Sequence, residues 1–221
     1  MDWIADPHPP PDSASLISAT PLKNIGSDFS YDDFQLCHNN ELAYFGILLK
    51  QNIYKIDNNG ASSEFVTLPD GNKIYGMTNM NDKLFVLACD DWVLVYSLSG
   101  EQITSWQINS SCRSIVTAGD KLVADCTPDL LVFDEEGNKL SRLSNVNLEY
   151  DNSIFSLDSK SIIVVNFDCD NVKRIDIRTG EELWSNEDDI SRPASAVYDG
   201  HGNILVLDYT RDIHVLDVST G

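Results

Sequence analysis

The chain has 221 residues, 42% of them hydrophobic, and 35 acidic against 15 basic side chains give a formal net charge of −20. A nucleic acid must be met by clustered Lys and Arg that displace counterions, and the densest basic group is only Lys173, Arg174 and Arg178, so nucleic-acid binding is disfavoured. No stretch approaches the ~18 consecutive apolar residues that span a bilayer, and the acidic, proline-rich start MDWIADPHPPPDS is unlike a basic-then-apolar secretory signal.

In chain order, residues 1–13 form a leader that predicts a disordered acidic and proline-rich segment, ahead of a single domain over 14–221. Residues 14–25, ASLISATPLKNI, alternate as a strand does. From there the chain repeats one order of elements: a strand, a polar turn, a strongly apolar strand, a loop, a third strand, a glycine turn and a shorter polar strand.

The apolar second strands begin at Glu41, Lys83, Lys121, Ser161 and Asn203, 42, 38, 40 and 42 residues apart. Their near-continuous Val, Ile and Leu predict burial on both faces. The third strands end in IYKIDNNG, VLVYSLSG, LLVFDEEG, VKRIDIRTG and IHVLDVSTG, whose closing glycines, Gly60, Gly100, Gly137, Gly180 and Gly221, are 40, 37, 43 and 41 residues apart. Two independent registers thus share the period of a four-stranded propeller blade. Asp57, Ser97, Asp134, Asp176 and Asp217 are the matching turn builders, each expected to accept backbone N–H bonds while the glycine turns left-handed.

The expected fold is therefore all-β, a β-propeller of about five four-stranded blades. It is either a closed five-bladed ring, with residues 14–25 supplying the strand missing after Gly221, or part of a six-bladed one. Trp106 and Trp184 fall on the polar outer strands, where a tryptophan is expected to fill the gap between neighbouring blades.

Five cysteines, Cys37, Cys89, Cys112, Cys126 and Cys169, include no CxxC pair, and an odd count argues against a disulfide framework or a zinc ribbon. Cys89, Cys126 and Cys169 each lie 11 residues before their repeat's glycine, which predicts small buried residues repeated around the axis. His8, His38, His201 and His214 belong to no metal motif, and no nucleophile elbow or phosphate loop is present. No catalytic residue, cofactor or metal ligand is assigned. Asp33 and Asp199 are the acids that could sit near an axis and bind calcium, without a DxDxDG loop to hold it. Asn109-Ser110-Ser111 is a glycosylation sequon, which matters only in a secreted protein.

Residues 190–221, ISRPASAVYDGHGNILVLDYTRDIHVLDVSTG, resemble an NHL repeat through Pro193, Ala196-Val197-Tyr198-Asp199, Gly202-Asn203-Ile204, Asp208 and Val215-Leu216-Asp217. Asn81-Asp82-Lys83-Leu84 and Gly119-Asp120-Lys121-Leu122 match more loosely. Residues 172–184, VKRIDIRTGEELW, are similar to the repeat of pyrroloquinoline-quinone-type propellers, in which a tryptophan locks adjacent blades. The NHL resemblance implies a non-catalytic scaffold of tripartite-motif type, whose loops on one ring face bind a protein partner. In such proteins ubiquitin-ligase chemistry resides in a RING, B-box and coiled coil, which this sequence lacks. The charge suggests a basic partner, and the start of the chain suggests a cytoplasmic setting. The alternatives are a calcium-assisted propeller hydrolase or lactonase and a sugar-binding propeller lectin, the latter weakened by the absence of a shared aromatic-plus-amide loop.

Overall fold

The computed structural model describes residues 34–38, 43–47, 50–57, 61–69, 71–89, 91–144, 146, 148, 152–187 and 190–221. The leader, residues 14–25, Asp33 and Gly60 lie outside the described residues.

Among the described residues, nineteen strands form five sheets. The first holds β1 (Phe34–His38), β2 (Ala43–Ile47), β3 (Asn52–Ile56) and β4 (Ser62–Thr67). The second holds β5 (Ile74–Met80), β6 (Lys83–Ala88), β7 (Trp92–Ser97) and β8 (Gln102–Gln107). The third is β9 (Ser114–Ala118), β10 (Lys121–Cys126), β11 (Asp129–Phe133) and β12 (Lys139–Leu143), and the fourth β13 (Asn152–Ser156), β14 (Ser161–Asn166), β15 (Asn171–Asp176) and β16 (Glu182–Asn186). The fifth, β17 (Pro193–Tyr198), β18 (Asn203–Asp208) and β19 (Ile213–Asp217), has three strands among the described residues. Within every sheet, chain neighbours pair antiparallel. The first strands meet in sequence, β1 with β5, β5 with β9, β9 with β13 and β13 with β17, so the sheets radiate from a hub as the blades of a five-bladed β-propeller. No helix occurs among the described residues.

The core lies between blades. Because side chains alternate across a strand, β6 sends Leu84, Val86 and Ala88 into the cluster shared with the first blade, and Phe85 and Leu87 into the cluster shared with the third. Strand β14 does the same, with Ile162 and Val164 on one side and Ile163 and Val165 on the other. Burial on both faces holds for these strands and fails for β18. Ile204 and Val206 pack on the fourth blade, but Val197, Leu207, Ile213 and Val215 on the other face are 42–66% exposed.

The cysteine reading needs correction. Cys112 and Cys126 are disulfide-bonded across the β9–β10 hairpin, 14 residues apart in sequence. Cys126 belongs to the repeat register and Cys112 does not, so counting equivalent positions pairs neither. Cys89 and Cys169 lie outside that bond and are partly buried.

Candidate interaction surface

The described turn residues singled out in the sequence are spread over the turns that follow the third strands. Asp57 Oδ1 accepts the N–H of Ala61 at 2.9 Å, Ser97 Oγ that of Glu101 at 3.1 Å, and Asp134 Oδ1 that of Asn138 at 2.7 Å. Asp176 Oδ1 accepts from Arg178 and Thr179, at 2.8 and 3.0 Å, and Asp217 Oδ1 accepts from Ser219 at 2.8 Å. Gly100, Gly137, Gly180 and Gly221 have φ between +73° and +90°, the left-handed region that glycine enters without a Cβ penalty. Asn138 and the turn N–H groups hold the Asp134 carboxyl below the ordinary range, and Ser219 does so at Asp217. Each of these side chains, four carboxylates and the Ser97 hydroxyl, is engaged in its own turn, one per blade, and they do not converge.

Asp199 is likewise saturated, taking N–H bonds from His201 and Asn203 at 2.6 and 3.0 Å and the Asn203 side-chain amide at 2.7 Å. Among the described residues no group of three or more His, Cys, Asp or Glu side chains is placed to hold a metal. His214 does find a partner: its Nε2 lies 2.9 Å from Oδ2 of the buried Asp208. With His214 first and Thr210 next, these bonds lower Asp208 to about 2. The pair pins the hairpin between β18 and β19. The Thr210 hydroxyl donates to Asp208 Oδ1 at 2.7 Å and lies 3.1 Å from Asp212 Oδ2, so the contacts around the pair close the turn itself.

At the opposite ends of the blades, three separate connections bring Phe167, Arg192 and Tyr209 together. Asp170 Oδ1 accepts the Arg192 N–H at 2.6 Å, and the Arg192 carbonyl accepts the Tyr209 N–H at 3.0 Å, which fixes the connection into β17 against the β18–β19 turn. The Phe167 and Tyr209 rings meet edge to face with centroids 6.0 Å apart. The Arg192 guanidinium carbon stands 5.7 Å from the first ring and 5.9 Å from the second, within cation–π range. Tyr209 and Arg192 are exposed.

The exposed sheet face of the fifth blade begins beside this stack. Cross-strand register sets Val197 opposite Leu205 and Leu205 opposite Val215, then Ser195 opposite Leu207 and Leu207 opposite Ile213, so the apolar side chains form two adjacent rows. Exposed apolar side chains are common singly, but a continuous patch marks an interaction surface. None of these residues was singled out as a binding residue in the sequence. The aromatics and Arg192 come from three connections, and NILVLD in β18 looks like any other inner strand. A cluster of Tyr, Phe and Arg beside an apolar patch is the composition of an interface hot spot.

No protein-family model matches the chain, and no curated protein matches it in sequence. Solved structures do match in fold. The WD40 β-propeller domain of Doa1 superposes with a TM-score of 0.67 at 14% identity, over 84% of this chain and 66% of that one. A chain of the mitotic checkpoint complex gives 0.69 at 13% identity, over 99% and 72%. BamB from Moraxella catarrhalis gives 0.60 at 11% identity, over 86% and 59%. The chain thus spans about two thirds of the propellers it resembles, and at these identities the likeness is one of fold.

Proposed function

We propose that the chain is a non-catalytic protein-interaction scaffold, whose partner covers the exposed face of the fifth blade and grips the Arg192–Phe167–Tyr209 stack at its loop end. The observation that carries the reading is the row pair Val197, Leu205, Val215 and Leu207, Ile213, exposed except for the half-buried Leu205, which water solvates poorly and a protein surface would cover. Occurrence of propellers similar in fold in a WD40 domain and a checkpoint complex supports a scaffold. The net charge of −20 favours a basic partner by steering its approach. The NHL resemblance covers this same blade and supports substrate recognition for a larger ubiquitin ligase, with the ligase chemistry outside these residues.

The test is the full chain carrying Ile213→Lys and Val215→Lys, compared with the native protein in chemical cross-linking capture and in thermal melting. The reading expects the captured partner to be lost with the melting temperature unchanged. Unchanged capture, or a fall of several degrees in melting temperature, refutes it, because the face would then be covered within the protein's own fold.

A further inference from the structure

The connection from β8 to β9, residues 108–113, carries two features that the scaffold reading leaves unused. One is the sequon Asn109-Ser110-Ser111; of all the asparagines in the chain, Asn109 alone has Ser or Thr two residues on. The other is Cys112, disulfide-bonded to Cys126 at the end of β10. A sequon by itself says little, because an acceptor site matters only in a chain that enters the secretory route. The bond supplies that condition.

Cys112 and Cys126 are both buried, in the core cluster between the second and third blades. Thiol–disulfide exchange needs access to the attacked sulfur, so the bond closes while this core is still open, in the compartment where the chain folds. Closing it removes two protons and two electrons from the thiols. The acceptor is a disulfide-exchanging oxidoreductase of an oxidising compartment, whereas cytosolic glutathione keeps such pairs reduced. The start of the chain argues for the cytoplasm, but it bears only on residues 1–13, and a buried disulfide is built into the core.

The folded connection also suits a bulky substituent. It is pinned at both ends, with the Ile108 N–H donating to the Asp91 carbonyl at 2.7 Å and the Arg113 N–H to the Asp125 carbonyl at 2.8 Å. Ile108 and Cys112 belong to the core cluster, and Asn109 between them is exposed. Its φ is +60°, in the left-handed region that asparagine enters more readily than most residues. Its side-chain amide makes no hydrogen bond among the described residues. The amides of Asn52, Asn81, Asn138 and Asn203, by contrast, are spent on Glu64, Glu135, Asp134 and Asp199. A sugar on Asn109 Nδ2 therefore breaks no native contact.

We propose that Asn109 is a modification site carrying an N-linked oligosaccharide, attached in the oxidising compartment where Cys112 and Cys126 join. The co-substrate is a lipid-pyrophosphate oligosaccharide. Asn109 Nδ2 bonds to the anomeric carbon, the bond from that carbon to the phosphate oxygen breaks, and the lipid pyrophosphate leaves with the electron pair. The nitrogen gives up one proton to a base of the transferase, and nothing is oxidised or reduced. On the ring, Asn109 occupies the connection equivalent to that of Arg192, two blades earlier. A glycan there covers the loop ends of the second and third blades and leaves the face of the fifth open. The scaffold thus stands, while its setting changes from that of a ubiquitin ligase to a secretory one.

The experiment is mass spectrometry of the full chain isolated from the cells that make it, with free thiols alkylated and disulfides kept. Trypsin releases residues 84–113 joined through Cys112–Cys126 to residues 122–139, a single species that reports both features. An amidase that removes N-glycans in heavy-oxygen water converts glycosylated Asn109 to labelled Asp. The expected result is label at position 109 in most chains, on the disulfide-linked species. Asn109→Gln and Ser111→Ala, expressed in the same cells, should abolish the glycosidase-sensitive mass, and Ser111→Thr should keep it, since the sequon takes either hydroxyl. Asn109→Gln should melt at the temperature of the deglycosylated native protein. Unlabelled Asn109 in the native chain overturns the proposal. So does label confined to chains whose Cys112 and Cys126 are alkylated, or a glycosidase-sensitive mass that persists in Asn109→Gln. Ile213→Lys with Val215→Lys should keep the glycan, and Asn109→Gln should keep the captured partner, so this site and the fifth-blade surface fail separately.

Discussion

Asp125 offers the sharpest test of the packing described. It is fully buried at the end of β10, its Oδ1 accepting from the N–H and hydroxyl of Thr127 at 3.1 and 2.8 Å, while its Oδ2 is buried without a hydrogen-bond donor. Burial dominates, the Thr127 bonds and the Arg113 charge offset it only in part, and the carboxyl is raised from 3.8 to about 6. A folded-state value above the unfolded one means that folding favours the protonated acid. The stability it contributes is complete below pH 3.8, falls as pH rises through 6, and is lost above. A rise of about 2 units corresponds to about 3 kcal/mol at pH 8. Asn at this position accepts the same Thr127 bonds and carries no charge at any pH, so Asp125→Asn removes the pH-dependent part. The amide nitrogen replacing Oδ2 brings a constant cost of about 1–3 kcal/mol. The assay is urea unfolding of both proteins between pH 5 and 8, above the sequence pI of 4.2, where solubility is lowest. The variant should gain about 1.5 kcal/mol on the native protein across that range. Other titrating groups cancel in the difference, so parallel stability curves for the two proteins would refute the assignment of a costly buried charge.

Gly137→Ala should lower stability by more than the ~1–3 kcal/mol typical of a left-handed non-glycine residue, since φ is +86° and the added Cβ would overlap the Trp106 indole. Gly71→Ala has almost the same φ, +88°, in open space, and the excess loss at Gly137 over Gly71 in thermal melting isolates the indole contact; equal losses would mean that Trp106 does not pack there. Thiol counting on protein unfolded under non-reducing conditions tests the Cys112–Cys126 bond against the cytoplasmic setting expected from the sequence. Three free thiols of five indicate the bond and an oxidising compartment, and five indicate a reducing one, since glutathione keeps cytosolic thiols reduced.

What a repeat makes legible is whatever every copy must do alike. The closing glycines and the apolar second strands could be read because each blade needs the same left-handed turn and the same two-sided burial, and these leave the same letters about 40 residues apart. The candidate sites are the places where one copy departs from its neighbours, and a departure is visible only once the copies are superposed in space. Cys112 precedes β9, outside the repeated positions, so its partner could not be counted out from the periodicity. Phe167, Arg192 and Tyr209 lie in connections whose lengths and sequences are free to vary, and only the blade geometry brings them within 6 Å of one another. Strand β18 shows the limit most plainly. NILVLD carries the apolar run of a strand buried on both sides, and that pattern reports which surfaces demand a cover, whereas the supplier of the cover has to be found by measurement.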